Sequence, residues 1–355
     1  MNRRGFLYSA AAAVAAGPVR GDAKPSIGLV TSSHARLHRP LSPEHPLDYE
    51  AVRDMVWQAI RYGTPRAGSL EAKVRPGSWV VVKPNIVFLR PVPSYRIGDV
   101  TDMRVTKAVV EYLARFSKAG RITVAEGGSY RNQSDPHEDD RVLQNGQFKN
   151  APTFDWGPQE FPGFDGTLGG MIAGIAKEFP DKRFDFVDLA YDAVRDAAGN
   201  FRRIVVPKSA NGVSAFGARP DYFVTNTITK CDFLVTVPVM KVHLQCGITA
   251  CLKNYVGTAP RQAYQAPGVF NNQLLHEQHS VEGRIDHFIA DLASFHPPDY
   301  CVVDHAIGRL AQGLPFRKPP GVRMLYPGVE VRQPPCTVFA SSDGGADCFQ
   351  IAAFR

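Results

Sequence analysis

Short, almost unbroken runs of apolar and β-branched residues, with helical patterns between them, constrain this chain more than any other feature. Ile27–Thr31, Trp79–Val82, Ile122–Ala125, Phe186–Leu189, Phe233–Val237, Tyr300–Val303 and Thr337–Ala340 read as buried strands. Continuous rather than alternating hydrophobicity is the mark of strands covered on both faces. Leu47–Tyr62, Val105–Phe116 and Val281–Phe295 carry apolar residues at helical spacing, with Val105, Val109, Leu113 and Phe116 on one face and Ile285, Phe288, Ile289 and Leu292 on another. The alternation predicts an α/β fold built on a mostly parallel sheet flanked by helices. Only the stretch from Arg131 to Pro180 breaks the rhythm. Rich in Gly, Pro, Asp and aromatics, it reads as a long irregular insertion over one edge of the sheet, of the kind that forms lids or interfaces. Gly166–Gly174 within it follows no strand and lacks G-x-G-x-x-G spacing, and no phosphate-binding G-x-x-x-x-G-K-[ST] occurs, so nucleotide binding is not expected there.

The amino terminus reads as an export signal. Arg3-Arg4 is followed after one residue by Phe6-Leu7, then by a short Ala-rich core and a cleavage site at Gly21-Asp22-Ala23. Residues 1–23 are therefore expected to be a twin-arginine signal, and 24–355 a single α/β domain located in the periplasm. The twin-arginine translocase would be a partner during export, and that route carries folded proteins. The apolar core of the signal is shorter than the about 20 residues a membrane helix needs, so no stable membrane span is expected.

Bulk composition excludes several classes. A net charge of +7 over 355 residues, with no basic run on one predicted element, is not a nucleic-acid footprint. It is compatible with anionic small ligands. The six cysteines, at 231, 246, 251, 301, 336 and 348, contain no C-x-x-C, and Cys246-x4-Cys251 alone makes neither a zinc site nor a ferredoxin run. One or two disulfides are compatible with an oxidising compartment. Cys231 and Cys301, beside apolar strands, read as buried core thiols. His276-Glu277-Gln278-His279 and His287 lie close in sequence without H-E-x-x-H spacing, so no metal ligands are assigned. A G-x-S-x-G nucleophile elbow is also lacking.

What the strand ends carry is more informative. In open parallel sheets, ligands bind beyond the carboxyl ends of the strands. Here Trp79–Val82 runs into Lys83-Pro84-Asn85, Ile122–Ala125 into Glu126-Gly127-Gly128, and Tyr300–Val303 into Asp304-His305, while Phe233–Val237 leads to Lys241 and His243. A lysine after three valines needs a partner or a route to solvent. Lys83 and Asn85 are thus candidate ligand-binding groups, and Gly127 offers a backbone that a ligand can approach closely. The densest stretch, Val237–Gly257, places Lys241, His243, Lys253 and Asn254 among apolar and small residues. Lys241 and Asn254 join the expected binding set, a cationic pocket for a carboxylate or phosphate. His243, Lys253, Glu126 and Asp304 are the expected catalytic set, with His243 suited to proton transfer near neutral pH. A helix over Thr249–Tyr255 would put Thr249 and Lys253 on one face, with its amino end beside His243.

These blocks carry a resemblance. Trp79–Val87, Thr101-Asp102, Ile122–Gly128, Cys231-Asp232-Phe233, Lys241-x-His243, Thr249, Leu252-Lys253-Asn254, Ile289-x-Asp291-Leu292, Val302-Val303-Asp304 and Gly313-x-Pro315 together resemble the domain of unknown function 362 family, in the expected order. The resemblance implies an α/β fold and a candidate site without a reaction. Some members are fused to ferredoxin-like iron–sulfur modules, which implies a metal or iron–sulfur link. This chain has no ligand motif of its own, so the cofactor stays unknown and the link would run through a redox protein partner. Cys246 and Cys251 stand where the family usually has small or hydroxyl residues. The chain stops at Phe349–Arg355, inside what resembles the start of a helix, so a truncated carboxyl terminus is part of the expectation. Two functions follow: an enzyme acting on an anionic small molecule, or a non-catalytic binding or accessory protein for a periplasmic iron–sulfur system.

Overall fold

The computed structural model describes residues 27–31, 49–63, 68–86, 101–127, 143–144, 147–148, 168–207, 215–243, 247–266, 272–309 and 337–342. The signal segment, residues 131–166 apart from two short strands, and residues 313–315 lie outside them. Strands are β1 Ile27–Thr31, β2 Trp79–Pro84, β3 Arg121–Glu126, β4 Leu143–Gln144, β5 Gln147–Phe148, β6 Arg183–Asp188, β7 Arg203–Val205, β8 Asp221–Phe223, β9 Phe233–Val237, β10 Val239–His243, β11 Gly247–Thr249, β12 Tyr300–Arg309 and β13 Thr337–Ser342. Helices are α1 Tyr49–Tyr62, α2 Leu70–Lys73, α3 Met103–Phe116, α4 Leu168–Glu178, α5 Asn226–Lys230, α6 Arg261–Tyr264, α7 Gln273–His279 and α8 Asp286–Phe295, with short 3-10 turns at Leu189–Tyr191 and Lys253–Thr258.

The main sheet runs β1-β13-β12-β9-β2-β3-β6. Pairing is parallel from β12 through β9, β2 and β3 to β6, and antiparallel where β13 joins β12 and β1. This is the expected α/β fold with a mostly parallel sheet flanked by helices. Residues of each strand divide between two layers, as a strand period of two requires. Val80, Val82, Ile122, Val124, Phe233 and Val235 pack into one apolar layer with α1, α3 and α4. Val81, Ala125 and Leu234 enter the opposite layer with Ile285, Phe288, Ile289 and Leu292 of α8 and its approach. Each fully buried Val or Leu contributes about 1.5–3 kcal/mol of transfer free energy, and continuous apolar strands gain it on both faces.

The connections define a switch in winding. From β2 the chain passes through α3 to β3 and through α4 to β6, each strand added on one side. It then returns to β9, on the other side of β2, and proceeds through α8 to β12. The reversal lies between β2 and β9, and the crossover helices change faces there.

The elements read from sequence recur with three shifts. The third predicted helix starts at Asp286 rather than Val281, because Glu282 and Gly283 sit at φ 53° and 73° in a tight turn that no helix accommodates. The strand expected at Phe186–Leu189 is Arg183–Asp188, since the Asp188 carboxylate accepts the Ala190 N–H at 2.9 Å and turns the chain into a 3-10 segment. The insertion expected over residues 131–180 contains α4, whose Leu168, Met171, Ile172 and Ile175 pack on the sheet, so its last part belongs to the regular fold. Among the described residues no helix is long and apolar enough to cross a membrane.

Candidate functional site

Lys83, Glu126 and Asn254 meet at the carboxyl ends of β2 and β3. The Lys83 ammonium donates to Glu126 Oε2 at 3.0 Å, to Asn254 Oδ1 at 3.0 Å and to the Pro84 carbonyl at 3.1 Å. Its three protons are therefore all used. Glu126 in turn accepts the Ile86 N–H at 2.9 Å on Oε2 and the Gly127 N–H at 2.8 Å on Oε1. Asn254 donates to the Lys83 carbonyl at 3.0 Å and to Thr236 Oγ1 on β9 at 2.7 Å. Lys83, Glu126 and Asn254 are each about 1% exposed. Burial pushes the Lys83 ammonium toward its neutral form, and the Glu126 carboxylate opposes this in part, leaving its pKa below the usual lysine range.

Two glycines let this cluster close. At Gly257, in the 3-10 turn Lys253–Thr258, a Cβ would stand 2.5 Å from Glu126 Oε1 and 2.8 Å from Lys83 Nζ. A Cβ at Gly127 would stand 2.9 Å from the Gly257 carbonyl oxygen. The turn thus lies directly on the ion pair, backbone against charged groups.

Asn85 connects the cluster to its surroundings. Its Nδ2 donates to Asn254 Oδ1 at 3.3 Å, whereas its Oδ1 is buried with no hydrogen-bond partner. Thr101 exchanges backbone and side-chain hydrogen bonds with Asn85, and its hydroxyl donates to the Val237 carbonyl at 2.6 Å. The next residue carries the connection on: Asp102 N–H donates to Asp304 Oδ2 at 2.8 Å, while its carboxylate caps α3 and holds the buried Arg104 guanidinium. Asp304 is thereby joined to the cluster through Thr101-Asp102.

The rest of the predicted set is placed differently. Gly247–Thr249 pairs antiparallel with Lys241–His243, in the register Lys241 with Thr249 and His243 with Gly247. The helix imagined over Thr249–Tyr255 is replaced by this hairpin and a 3-10 turn beginning at Lys253, because the sheet edge takes up the backbone of 247–249. Lys241 and His243 lie on β10, and their side chains fall outside the described residues, as does that of His305. Lys253, half-buried, lies close enough to His276 that, after burial itself, its charge lowers the pKa of that imidazole. Thr236, Thr101, Arg104 and Gly257 were not singled out as site residues. Only their proximity in the fold identifies them. Among the described residues no group of His, Cys, Asp or Glu is arranged to hold a metal ion, and Cys231, Cys251 and Cys301 are free thiols.

No curated protein matches this sequence. Among solved structures the chain is similar to the lactate racemase apoprotein from Thermoanaerobacterium thermosaccharolyticum, at 13% identity and a TM-score of 0.39, over 85% of this chain and 54% of that one. It thus spans about half the length of that structure, and likeness at that level carries no functional statement. Residues 191–326 match the family model described as Domain of unknown function (DUF362), a stretch that holds β9 to β12 and Asn254 but leaves the Lys83 and Glu126 strands outside, and that supports the resemblance to this family.

Proposed function

We propose that this chain binds an anionic small molecule at the carboxyl ends of β2, β3 and β9 and acts on it as an enzyme. The observation that carries the reading is position. The Lys83–Glu126–Asn254 cluster lies where the winding of the sheet reverses, between β2 and β9, which is where open α/β sheets hold their ligands. In this reading Lys83, Glu126 and Asn254 form a fixed base. Glu126 positions Lys83 and is not itself a free base, since three donors already occupy it. Asn85 offers an acceptor, Lys241 and Lys253 the positive charge, and His243 and Asp304 the proton transfer, while Gly127 packs beneath the Gly257 carbonyl and holds Glu126. The reading extends family membership to the whole mature chain and takes residues 1–23 as a twin-arginine signal that delivers it to the periplasm.

Titrating the purified protein with inorganic phosphate and with short mono- and dicarboxylates in a calorimeter tests binding. Lys253→Met should weaken the tightest of these at least tenfold. His243→Gln should spare binding and remove turnover. Both variants should melt within a few degrees of the parent, and if both fail to fold these residues are structural and the assignment is lost. Arg3→Lys/Arg4→Lys should leave the protein in the cytoplasmic fraction.

A second reading is favoured by one feature: the Glu126 carboxylate is fully engaged by Lys83 and two backbone N–H groups. That is the condition expected of a non-catalytic binding or accessory protein for an exported iron–sulfur system. Protein isolated from its native compartment would then bring a coloured or metal-containing partner with it, whereas a colourless, metal-free monomer speaks against this reading.

A further inference from the structure

The opposite, amino-terminal end of the parallel strands holds a second chemical group. Cys231 follows α5 and precedes β9, His296 ends α8, and Asp299 precedes β12. Because β9 and β12 are parallel neighbours, the residues before them come to the same end of the sheet. Asp299 Oδ2 accepts the Leu234 N–H at 2.8 Å and faces His296 Nε2 at 3.1 Å. With Nε2–H committed to that carboxylate, Nδ1 is the acceptor nitrogen, and it lies 3.6 Å from Cys231 Sγ. Thiol, imidazole and carboxylate therefore stand in the order nucleophile, base, orienting group.

We propose that Cys231, His296 and Asp299 form a reactive-thiol site, with Cys231 as nucleophile toward small uncharged electrophiles such as hydroperoxides. The Sγ proton passes to His296 Nδ1, leaving a thiolate against an imidazolium. The thiolate attacks the terminal oxygen of a hydroperoxide. An S–O bond forms as the O–O bond breaks, the sulfur is oxidised to the sulfenic acid, and the hydroperoxide is reduced to an alcohol or water that takes the imidazolium proton. Asp299 is a positioning residue that fixes the tautomer.

The surroundings support the charged pair. Burial alone would lower the His296 pKa, but the hydrogen bonds to Asp299 and then Cys231 outweigh it and raise it to about 10. His296 also stands at the carboxyl end of α8, where a cation is favoured. Among the other groups near it, Tyr255 OH donates to the His296 carbonyl at 2.7 Å, and burial keeps that phenol neutral. Lys73 Nζ lies 3.3 Å from the Asp299 carbonyl, and Asp232, next in the chain to Cys231, is paired with Arg75. One group works against the thiolate: the Ile228 carbonyl, 3.6 Å from Sγ, accepts the thiol proton. Access is from the imidazole side, since the His296 and Asp299 side chains are 17% and 32% exposed while Cys231 is 7% exposed.

Alkylation of the folded, full chain by iodoacetamide, followed by peptide mapping, tests the site. Here an S–C bond forms, iodide leaves and the proton returns to water through His296. Cys251 and Cys301, 1% and 0% exposed, serve as internal controls. An ordinary thiol of pKa about 8.5 slows about tenfold for each pH unit below that value. Cys231 should instead react at a nearly constant rate between pH 6 and 8, and at pH 6.5 at least tenfold faster than in His296→Gln, with Asp299→Asn between the two. Hydrogen peroxide followed by dimedone should label the same cysteine. The proposal is overturned if the wild-type rate climbs about tenfold per pH unit, or if Cys231 reacts no faster than the two controls. The wild-type profile decides the matter even if a variant fails to fold.

Discussion

The two ends of β9 carry polar groups of opposite character. At the carboxyl end, Thr236 leads through Asn254 to the Lys83–Glu126 ion pair, where every donor of the ammonium is used and both carboxylate oxygens are occupied. At the amino end, Cys231, His296 and Asp299 share a weaker chain of contacts that reaches solvent. A saturated, dry cluster resists change because any group removed leaves another charged and unpaired. A partly exposed chain in which a thiol faces an imidazole nitrogen is less constrained. Saturation, more than the presence of ionisable residues, is what distinguishes the two ends.

The comparison is broken most directly at the ion pair. Lys83→Met leaves the buried Glu126 carboxylate without its ammonium, and Glu126→Gln leaves the ammonium with an amide in place of a carboxylate. Removing one partner of a buried pair costs about 3–5 kcal/mol, whereas replacing both is often nearly neutral. Each single variant should therefore lose about that much in urea unfolding, and the double variant Lys83→Met/Glu126→Leu should recover most of it. Single variants that lose less than about 1 kcal/mol would show the cluster to be wetter than its burial indicates.

Gly257→Ala gives a smaller and sharper effect. The added methyl group would enter the space between Glu126 Oε1 and Lys83 Nζ, both held by other bonds. Overpacking of this kind costs about 1–3 kcal/mol. If the ion pair is the fixed element, the same substitution in the Lys83→Met/Glu126→Leu background should cost measurably less, since the charged atoms it meets are gone.

How much of this was legible beforehand follows from what each feature depends on. The strands were readable because burial on both faces makes them continuously apolar, as in Val80-Val81-Val82 and Phe233–Val237. The membership of Lys83, Asn85, Glu126 and Asn254 in one region followed from strand ends and a dense polar segment. Their pairing did not, because Lys83 and Asn254 are 171 residues apart and no local pattern encodes that contact. Gly257 became informative only once the charged atoms opposite it were placed. Cys231 read as a core thiol, since His296 lies 65 residues on and no spacing signature links the two. One signal was available: Cys231 and Asp299 each precede a strand, and parallel neighbours bring such residues to the same end of the sheet. The hairpin of β10 and β11 was missed because Gly247–Thr249 is too short for a period of two to be distinguished from a turn.

The last contrast is between two histidines, and it is read as a slope per pH unit rather than as a total. His296 is raised to about 10, against burial, chiefly by Asp299 and then Cys231. His279, stacked at 3.9 Å on Tyr222, is lowered to about 4, first by burial and then by Arg203 and Arg219. A raised histidine binds its proton more tightly when folded, so the stability it contributes is full below pH 6.5 and is lost as pH rises toward 10. A lowered histidine does the reverse: its contribution is full above pH 6.5 and is lost as pH falls toward 4. Each slope is limited to about 1.4 kcal/mol per pH unit by the single proton involved. His296→Gln should flatten the alkaline limb of a stability profile measured by urea midpoint, and His279→Gln the acid limb. Loss of the Tyr222 stack lowers the whole His279→Gln curve, so the slope and not the height is the readout. If His296→Gln leaves the alkaline limb unchanged, the imidazole is not held as a cation, and the contrast between the two ends of β9 loses its electrostatic basis.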